Sequence, residues 1–138
     1  MPVFLDTNIF LYAAGGPHPE REACMELLQR ISDGSLDATV NAEVVQEVMF
    51  VLGRRGHLRD GLRLARDVLA LFPGLFPVTR QDMLRACGLL DRYPSLPVRD
   101  AIHVATMLNN GVQTVVSVDA DFDQVVEIRR VAPGSAKR

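Results

Sequence analysis

Short runs of β-branched and aromatic residues alternate with longer segments in which apolar residues recur every three or four positions. The short runs predict strands at PVFL, DATV, LFPV and TVVSV, with VEIRRV as a further candidate, and the proline of LFPV favours an edge strand. The longer segments predict a helix that begins near Asn8 and ends at GGP, followed by helices at HPEREACMELLQRISDG, NAEVVQEVMFVLGRRG, LRDGLRLARDVLALF, RQDMLRACGLLDRY and PVRDAIHVATMLNNG. This alternation predicts a three-layer α/β/α sandwich with a mostly parallel central sheet.

Residues that typically begin and end helices agree with these boundaries. Asn41 is placed to cap the helix that follows DATV, while Pro19 and Gly34 bracket the second helix. The 138 residues contain no repeat, no low-complexity tract and no linker long enough to separate domains. We therefore expect a single domain over residues 1–138.

The composition is that of a globular protein, with 48% hydrophobic residues. No stretch approaches the roughly 20 apolar residues of a membrane span, and no basic region followed by an apolar run opens the chain. Cys24 and Cys87 match no metal-ligand spacing, and we interpret both as reduced thiols in the core. These features predict a soluble cytoplasmic protein that does not associate with membranes.

The charge is distributed unevenly. A formal net charge of −2 gives no general attraction to nucleic acid, but the stretch GRRGHLRDGLRLAR holds five arginines against one aspartate. Lys137 is the only lysine in the chain. An arginine cluster can bind phosphates, and it is equally typical of a solvated helix face, so both interpretations remain open.

Carboxylates follow two of the predicted strands directly. Asp6 comes after PVFL, and Asp119 comes after TVVSV. In a parallel sheet the carboxyl ends of the strands meet at one edge, where the helices that follow them also begin. We therefore expect Asp6 and Asp119 to share that edge.

Two further acids lie near the start of predicted helices. Glu47 borders the inward face of the helix that Asn41 opens. Asp100 lies near the positive end of its helix and outside the apolar stripe, which consists of Val98, Ala101, Ile102 and Ala105. If both helices begin at the same edge of the sheet, Glu47 and Asp100 join the first two acids there.

Four carboxylates in one pocket would repel one another and take up protons unless a cation lay among them. Oxygen ligands favour Mg²⁺ or Mn²⁺ over zinc, and such a cation beside a basic surface suggests phosphodiester hydrolysis. Alone, each acid has an ordinary interpretation as a helix cap, a surface glutamate, a helix-dipole partner or a turn residue. The hypothesis depends on all four occurring at one edge.

The order of these motifs resembles that of the PIN domain family. VFLDTN, the glutamate of EVVQEVMFVL, RDAIHVA and VVSVDADFD follow one another as in that family and cover almost the whole chain. Small single-domain proteins of this kind resemble the VapC-type toxins of bacterial toxin–antitoxin pairs. The resemblance implies a Mg²⁺- or Mn²⁺-dependent endoribonuclease whose catalytic and metal-binding acids are Asp6, Glu47, Asp100 and Asp119.

The resemblance also implies supporting residues and partners. Thr7 and Asn8 match polar positions after the first acid, and Ser117 matches a position that often holds Ser or Thr. We interpret all three as support for the acids, with helix capping as an equal alternative for Asn8. The family further implies an RNA substrate, a homodimer and a cognate antitoxin protein. The candidates for contacts with the RNA backbone are Arg54, Arg55 and Arg99.

Some alternatives remain open. The family's toxins are often more basic, so the net charge of −2 leaves room for a catalytically weak PIN-fold protein that binds RNA or another protein. His103, three residues after Asp100, could mimic a metal-ligand pair, but a structural role or an RNA contact fits better because an all-oxygen site does not need it. Asp121 and Asp123 are additional acids nearby, and for Asp123 a turn or cap role is favoured over assistance through water.

Overall fold

The fold is described by a computed structural model, which covers residues 1–136. Its four strands form one wholly parallel sheet in the order β2-β1-β3-β4. The strands are β1 (Val3–Leu5), β2 (Ala38–Thr39), β3 (Thr114–Val116) and β4 (Arg129–Val131). The prediction of an α/β sandwich with a parallel central sheet is confirmed.

Six α-helices connect and cover these strands. They are α1 (Thr7–Ala14), α2 (Arg21–Ser32), α3 (Ala42–Arg54), α4 (Leu58–Leu71), α5 (Arg80–Arg92) and α6 (Val98–Asn109). Two 3₁₀ helices, Ala120–Gln124 and Pro133–Ser135, flank β4. None of the helices in this described part of the chain is long and apolar enough to cross a membrane.

The core contains residues of the central strands and of all six helices. Phe4 of β1 and Val115 of β3 are fully buried. Helix α6 is buried continuously from Asp100 to Met107, so polar residues on this helix are buried together with its apolar stripe. Asp100 is therefore buried although it lies outside that stripe, whereas Val98, expected inside, is 61% exposed because it stands at the first residue of the helix.

Asn41 fixes the start of α3 as expected. Its side-chain oxygen accepts a hydrogen bond from the Val44 N–H at 3.0 Å, and its Nδ2 donates to Thr106 Oγ1 at 3.0 Å. The same side chain thus caps α3 and ties it to α6, and it is fully buried. This anchor determines where the second turn of α3, which carries Glu47, lies relative to the sheet.

Two expectations are wrong. LFPV forms only a single parallel bridge between Asn41 and Phe76, because the following Pro77 has no N–H to continue a ladder. Cys87 is an exposed free thiol rather than a core residue, since the buried positions of α5 are Asp82, Ala86 and Leu89, and Cys87 points away from them. Cys24 is buried and free, as expected.

All four strands, from Val3 to Val131, belong to one sheet. This arrangement supports the single domain over residues 1–138, which stays a prediction. Its last two residues, including Lys137, lie outside the described range.

The role of Asn41 can be tested by replacing it with alanine. Asn41→Ala removes a helix cap and the buried hydrogen bond to Thr106 Oγ1, which keeps only its bond to the Ile102 carbonyl, so we expect a loss of about 2 kcal/mol in the free energy of unfolding. Urea unfolding measures this change. As a control, Gln113→Ala at an exposed position should alter the free energy by less than about 0.5 kcal/mol. Equal effects of the two substitutions would contradict the anchoring role.

Candidate active site

The site begins where two neighbouring parallel strands end. Leu5 of β1 lies beside Val116 of β3 in the sheet register, and the Asp6 N–H donates to the Val116 carbonyl at 3.0 Å. The residues that follow the two strands, Asp6 and Ser117, are therefore adjacent. This is the meeting of strand ends that the parallel topology predicts.

Ser117 connects the two strand-end acids. Its hydroxyl donates to Asp6 Oδ2 at 2.6 Å and accepts from the Asp119 N–H at 2.9 Å. Asn8 Nδ2 also donates to this hydroxyl, at 3.3 Å. The other Asp6 oxygen accepts from the Thr7 N–H at 2.7 Å, so Asp6 caps α1 as well as belonging to the acid cluster.

Glu47 is held by a second set of hydrogen bonds. Its Oε1 accepts from Thr7 Oγ1 at 2.9 Å and lies 2.8 Å from His103 Nε2. The same imidazole nitrogen is 3.9 Å from Asp6 Oδ1. His103 is fully buried beside both acids, which favours a structural role for it over a contact with RNA. Arg99 Nη1 lies 3.7 Å from the outer oxygen of Glu47.

Asp100 is the acid common to two clusters of potential ligands. Ligand atoms of Asp6, Asp100 and His103 lie within 4.8 Å of one another, and so do those of Asp100, Asp119 and Asp121. Asp6, Asp100 and Asp119 are thus brought to one place. Within residues 1–136, Glu47 is outside both clusters and reaches Asp6 across His103.

Burial determines the protonation of the cluster. Desolvation raises the pKa of Asp100 to about 8, and the negative charges of Asp6, Asp119 and Glu47 add to this rise. Desolvation also raises the pKa of Asp6, although His103 and the Ser117 hydroxyl oppose it. The cluster therefore contains carboxyl groups that cannot all ionise near neutral pH without a compensating cation.

His103 provides part of that compensation. Burial alone would lower the pKa of His103, but the hydrogen bond to Glu47 and the nearby charges of Asp6 and Glu47 outweigh burial and raise it. Burial would raise the pKa of Glu47, but the hydrogen bond and charge of His103 and the Thr7 hydroxyl lower it overall. His103 thus keeps the pKa of Glu47 low through a hydrogen bond, whereas it opposes the raised pKa of Asp100 only through its charge.

The donor set fits a hard divalent cation. Asp100 Oδ2 is buried and has no hydrogen-bond partner among residues 1–136. Asp6 and Asp119 bring further oxygens to it, and oxygen ligands are those that Mg²⁺ and Mn²⁺ prefer. Such a cation would satisfy this oxygen and remove the cost of ionising Asp100.

The two remaining acids of this region, Asp121 and Asp123, have different neighbours. Exposed Asp121 lies within ligand distance of Asp100 and Asp119, so it borders the site. Asp123 instead forms a bidentate ion pair with Arg130 of β4, at 2.9 and 3.0 Å. This ion pair differs from the turn or cap role expected for Asp123, since the N-cap position of its 3₁₀ helix is occupied by Asp119.

The contact between His103 and Glu47 was not expected from the sequence. The position of His103 three residues after Asp100 places both side chains on one side of α6, and this spacing was the available signal. What the spacing does not reveal is that α3 packs against α6, which brings Glu47 to the imidazole. The three arginines expected to contact RNA, Arg54, Arg55 and Arg99, line one shallow cavity beside α3.

Comparisons with known proteins agree with this geometry. The family model described as PIN domain matches residues 3–128. Ribonuclease VapC7 of Mycobacterium tuberculosis is 31% identical over 135 residues, which cover 97% of this chain and 93% of that protein. The crystal structure of VapC20 from the same species, a sarcin-ricin loop cleaving toxin, has a TM-score of 0.75 at 22% identity and covers 92% of this chain and 98% of that one.

A second solved structure shows the same fold. A toxin–antitoxin complex from Klebsiella pneumoniae gives a TM-score of 0.68 at 18% identity, with 99% of both chains covered. The chain therefore matches these proteins over nearly its full length.

The raised pKa values predict an unusual pH dependence of stability without metal. Between about pH 4 and pH 8, folded Asp100 holds a proton that the unfolded chain releases, so the free energy of unfolding falls as pH rises. His103 acts in the same direction, because its stabilisation is complete below pH 6.5 and is lost as pH rises through its raised pKa. Urea unfolding at pH 5 and pH 8 in a chelating buffer measures this loss.

Two variants and one ion make this test specific. Asp100→Asn should flatten the pH dependence, whereas Asp91→Asn, an exposed acid of α5, should leave it unchanged. Mg²⁺ or Mn²⁺ at pH 8 should raise the melting temperature of the wild type but not of Asp100→Asn. A wild type that gains stability from pH 5 to pH 8 without metal would refute this description of the cluster.

Proposed function

We propose that this chain, which belongs to the PIN domain family, is the toxin of a toxin–antitoxin pair. It acts as an endoribonuclease and cleaves RNA phosphodiester bonds. The resemblance seen in the motifs is confirmed by the family match over residues 3–128 and by a VapC ribonuclease at 31% identity. The observation that carries the proposal is buried Asp100, which shares one group of potential metal ligands with Asp6 and a second with Asp119.

The acids divide into two roles in this proposal. Asp6, Asp100 and Asp119 would hold the divalent cation, Mg²⁺ or Mn²⁺, which when bound supplies positive charge for the phosphate and makes a water more acidic. Among the described residues, Glu47 belongs to neither group of potential metal ligands and is linked to Asp6 through His103 and Thr7, so we assign it to orienting water rather than to direct contact with the cation. Its lowered pKa supports this role, because an ionised carboxylate can accept a hydrogen bond from that water and so orient it.

Polar neighbours fix these acids in place. Ser117 orients Asp6 and the Asp119 backbone through one hydroxyl, and Asn8 donates to the same hydroxyl. Thr7 donates to Glu47 and thereby links the first turn of α1 to α3. These contacts support the positioning roles proposed for the three polar residues, and Asn8 contributes through Ser117 rather than as a helix cap.

The partners follow from the same premise. We propose an RNA substrate contacted by Arg54, Arg55 and Arg99, a homodimer, and a cognate antitoxin. The Klebsiella pneumoniae structure is a toxin–antitoxin complex by its description, which supports the antitoxin as a partner. The homodimer can be checked by sedimentation equilibrium, where we expect twice the 15.2 kDa mass of one chain. A single-chain mass at all accessible concentrations would refute it.

The catalytic assignment is tested by removing single charges. Asp6→Asn should retain the fold and lose cleavage of a structured RNA in Mg²⁺ or Mn²⁺ by about 10²-fold or more, because the amide cannot replace a charged ligand. Asp91→Asn removes an exposed aspartate of α5 and should cleave as the wild type does. Gel analysis of end-labelled RNA measures the rates. Full activity of Asp6→Asn would refute the assignment of Asp6 as a catalytic acid.

A further substitution separates the two roles of the acids. Glu47→Gln should reduce cleavage but keep the metal-induced rise in melting temperature, whereas Asp100→Asn should lose both. If the wild type binds RNA but does not cleave it in Mg²⁺ or Mn²⁺, the result would favour the alternative that this PIN-fold protein is an RNA-binding module.

A further inference from the structure

An exposed phenylalanine lies between two arginines beside the acid cluster. Phe50 of α3 is 45% exposed. The guanidinium carbon of Arg54 is 5.7 Å from the centre of its ring, and that of Arg99 is 5.8 Å away. With Val51 and Arg55, these residues line a shallow cavity of about 400 Å³. We refer to Phe50, Arg54 and Arg99 as the Phe50 site.

The Phe50 site adjoins the acids through two elements. Glu47, Phe50 and Arg54 follow one another at three- and four-residue spacings, so they form one strip along α3. Arg99 directly precedes Asp100 on α6, and its Nη1 lies 3.7 Å from Glu47 Oε2. A molecule bound on Phe50 therefore lies next to the cluster that would act on phosphate.

Packing of the core does not require this phenyl ring. The buried residues of α3 are Val44, Val45, Glu47 and Val48, and partly buried Met49 and Leu52 also pack against the core. Phe50 lies outside that set, and nearly half of its surface is available to a ligand. An exposed aromatic ring whose neighbours are cations is suited to stacking on a flat, electron-rich partner.

The charge of the cavity restricts the choice of ligand. All charged side chains that line it are arginines, although the chain as a whole carries a net charge of −2. An anionic ligand is favoured here, and one that also offers a planar ring to Phe50 is a nucleotide. Stacking on an aromatic side chain requires a base that is not held in a duplex.

We propose that the Phe50 site binds an unpaired nucleobase of the substrate by stacking on Phe50, with Arg54 and Arg99 contacting its flanking phosphates. This inference rests on the proposed ribonuclease function and specifies its substrate class. The RNA must present a splayed-out base, as in a loop or bulge, beside the bond that is cleaved. A fully paired helix offers no free base face and is a poor substrate.

Tryptophan provides a direct reporter, because the chain contains none. Phe50→Trp, in an Asp119→Asn background that prevents cleavage, should show emission quenched by a short single-stranded RNA. An abasic oligonucleotide of the same length and charge should leave the emission unchanged. Leu69→Trp, at a 48% exposed position of α4 that does not line the cavity, is the matched control and should respond to neither probe.

Affinity gives a second readout. In the same background, Phe50→Leu keeps an apolar side chain but removes the ring, so binding of the single-stranded RNA should weaken by about tenfold. Binding of the abasic oligonucleotide should not change. With Asp119 intact, Phe50→Leu should also keep the wild-type rise in melting temperature with Mg²⁺, which shows that the acid cluster is intact.

The outcomes distinguish this inference from the function on which it rests. If the wild type cleaves RNA but Phe50→Leu binds and cleaves it equally well, the stacking site alone is wrong. If the wild type neither binds nor cleaves RNA in Mg²⁺ or Mn²⁺, both proposals are wrong. If the emission of the Phe50→Trp variant follows protein concentration and ignores RNA, this face is a contact between copies and the inference is overturned.

Discussion

The burial of negative charge at one edge of a parallel sheet is the constraint on which the rest of the site depends. Asp6, Glu47 and Asp100 are each no more than 9% exposed, and half-buried Asp119 lies beside them. Desolvation and mutual repulsion together would drive protons onto such groups, as the pKa of Asp100, raised to about 8, shows. The fold tolerates this cost because each acid lies on a separate element, and different neighbouring groups compensate the negative charge of each one.

The charges of the acids are compensated to different degrees, and this difference bears on function. His103 and Thr7 compensate Glu47 within the protein itself, so this half of the site is complete without a ligand. Asp6 receives a hydroxyl and a backbone N–H, which only partly offset its burial. Asp100 has a buried oxygen without a hydrogen-bond partner in the described chain. A divalent cation would therefore contribute most at Asp100, where the protein itself contributes least.

The sequence predicts the parallel sheet and the convergence of the acids because both follow from local signals. Strand runs that end in Asp6 and Asp119 specify the edge, and the cap at Asn41 specifies the start of α3. What it could not predict depends on tertiary contacts. Asp100 lies outside an apolar stripe yet is buried, because α6 is enclosed on nearly all sides. His103 acquires its role only when α3 packs on α6, and the strand expected at LFPV is reduced to one bridge by Pro77.

A net charge of −2 argues against RNA binding only if all charges of the protein surface act on the RNA together. At protein surfaces, charges separated by more than about 8 Å are largely screened at physiological salt, so the local distribution of charge determines RNA binding. Here helix α3 carries an ionised acid, an exposed ring and an arginine along one strip, and α6 adds Arg99 beside the same ring. Because weak overall attraction gives little non-specific affinity, binding must come from these few contacts. An acidic chain of this design is suited to a narrow set of RNAs whose shape presents a free base at the right place.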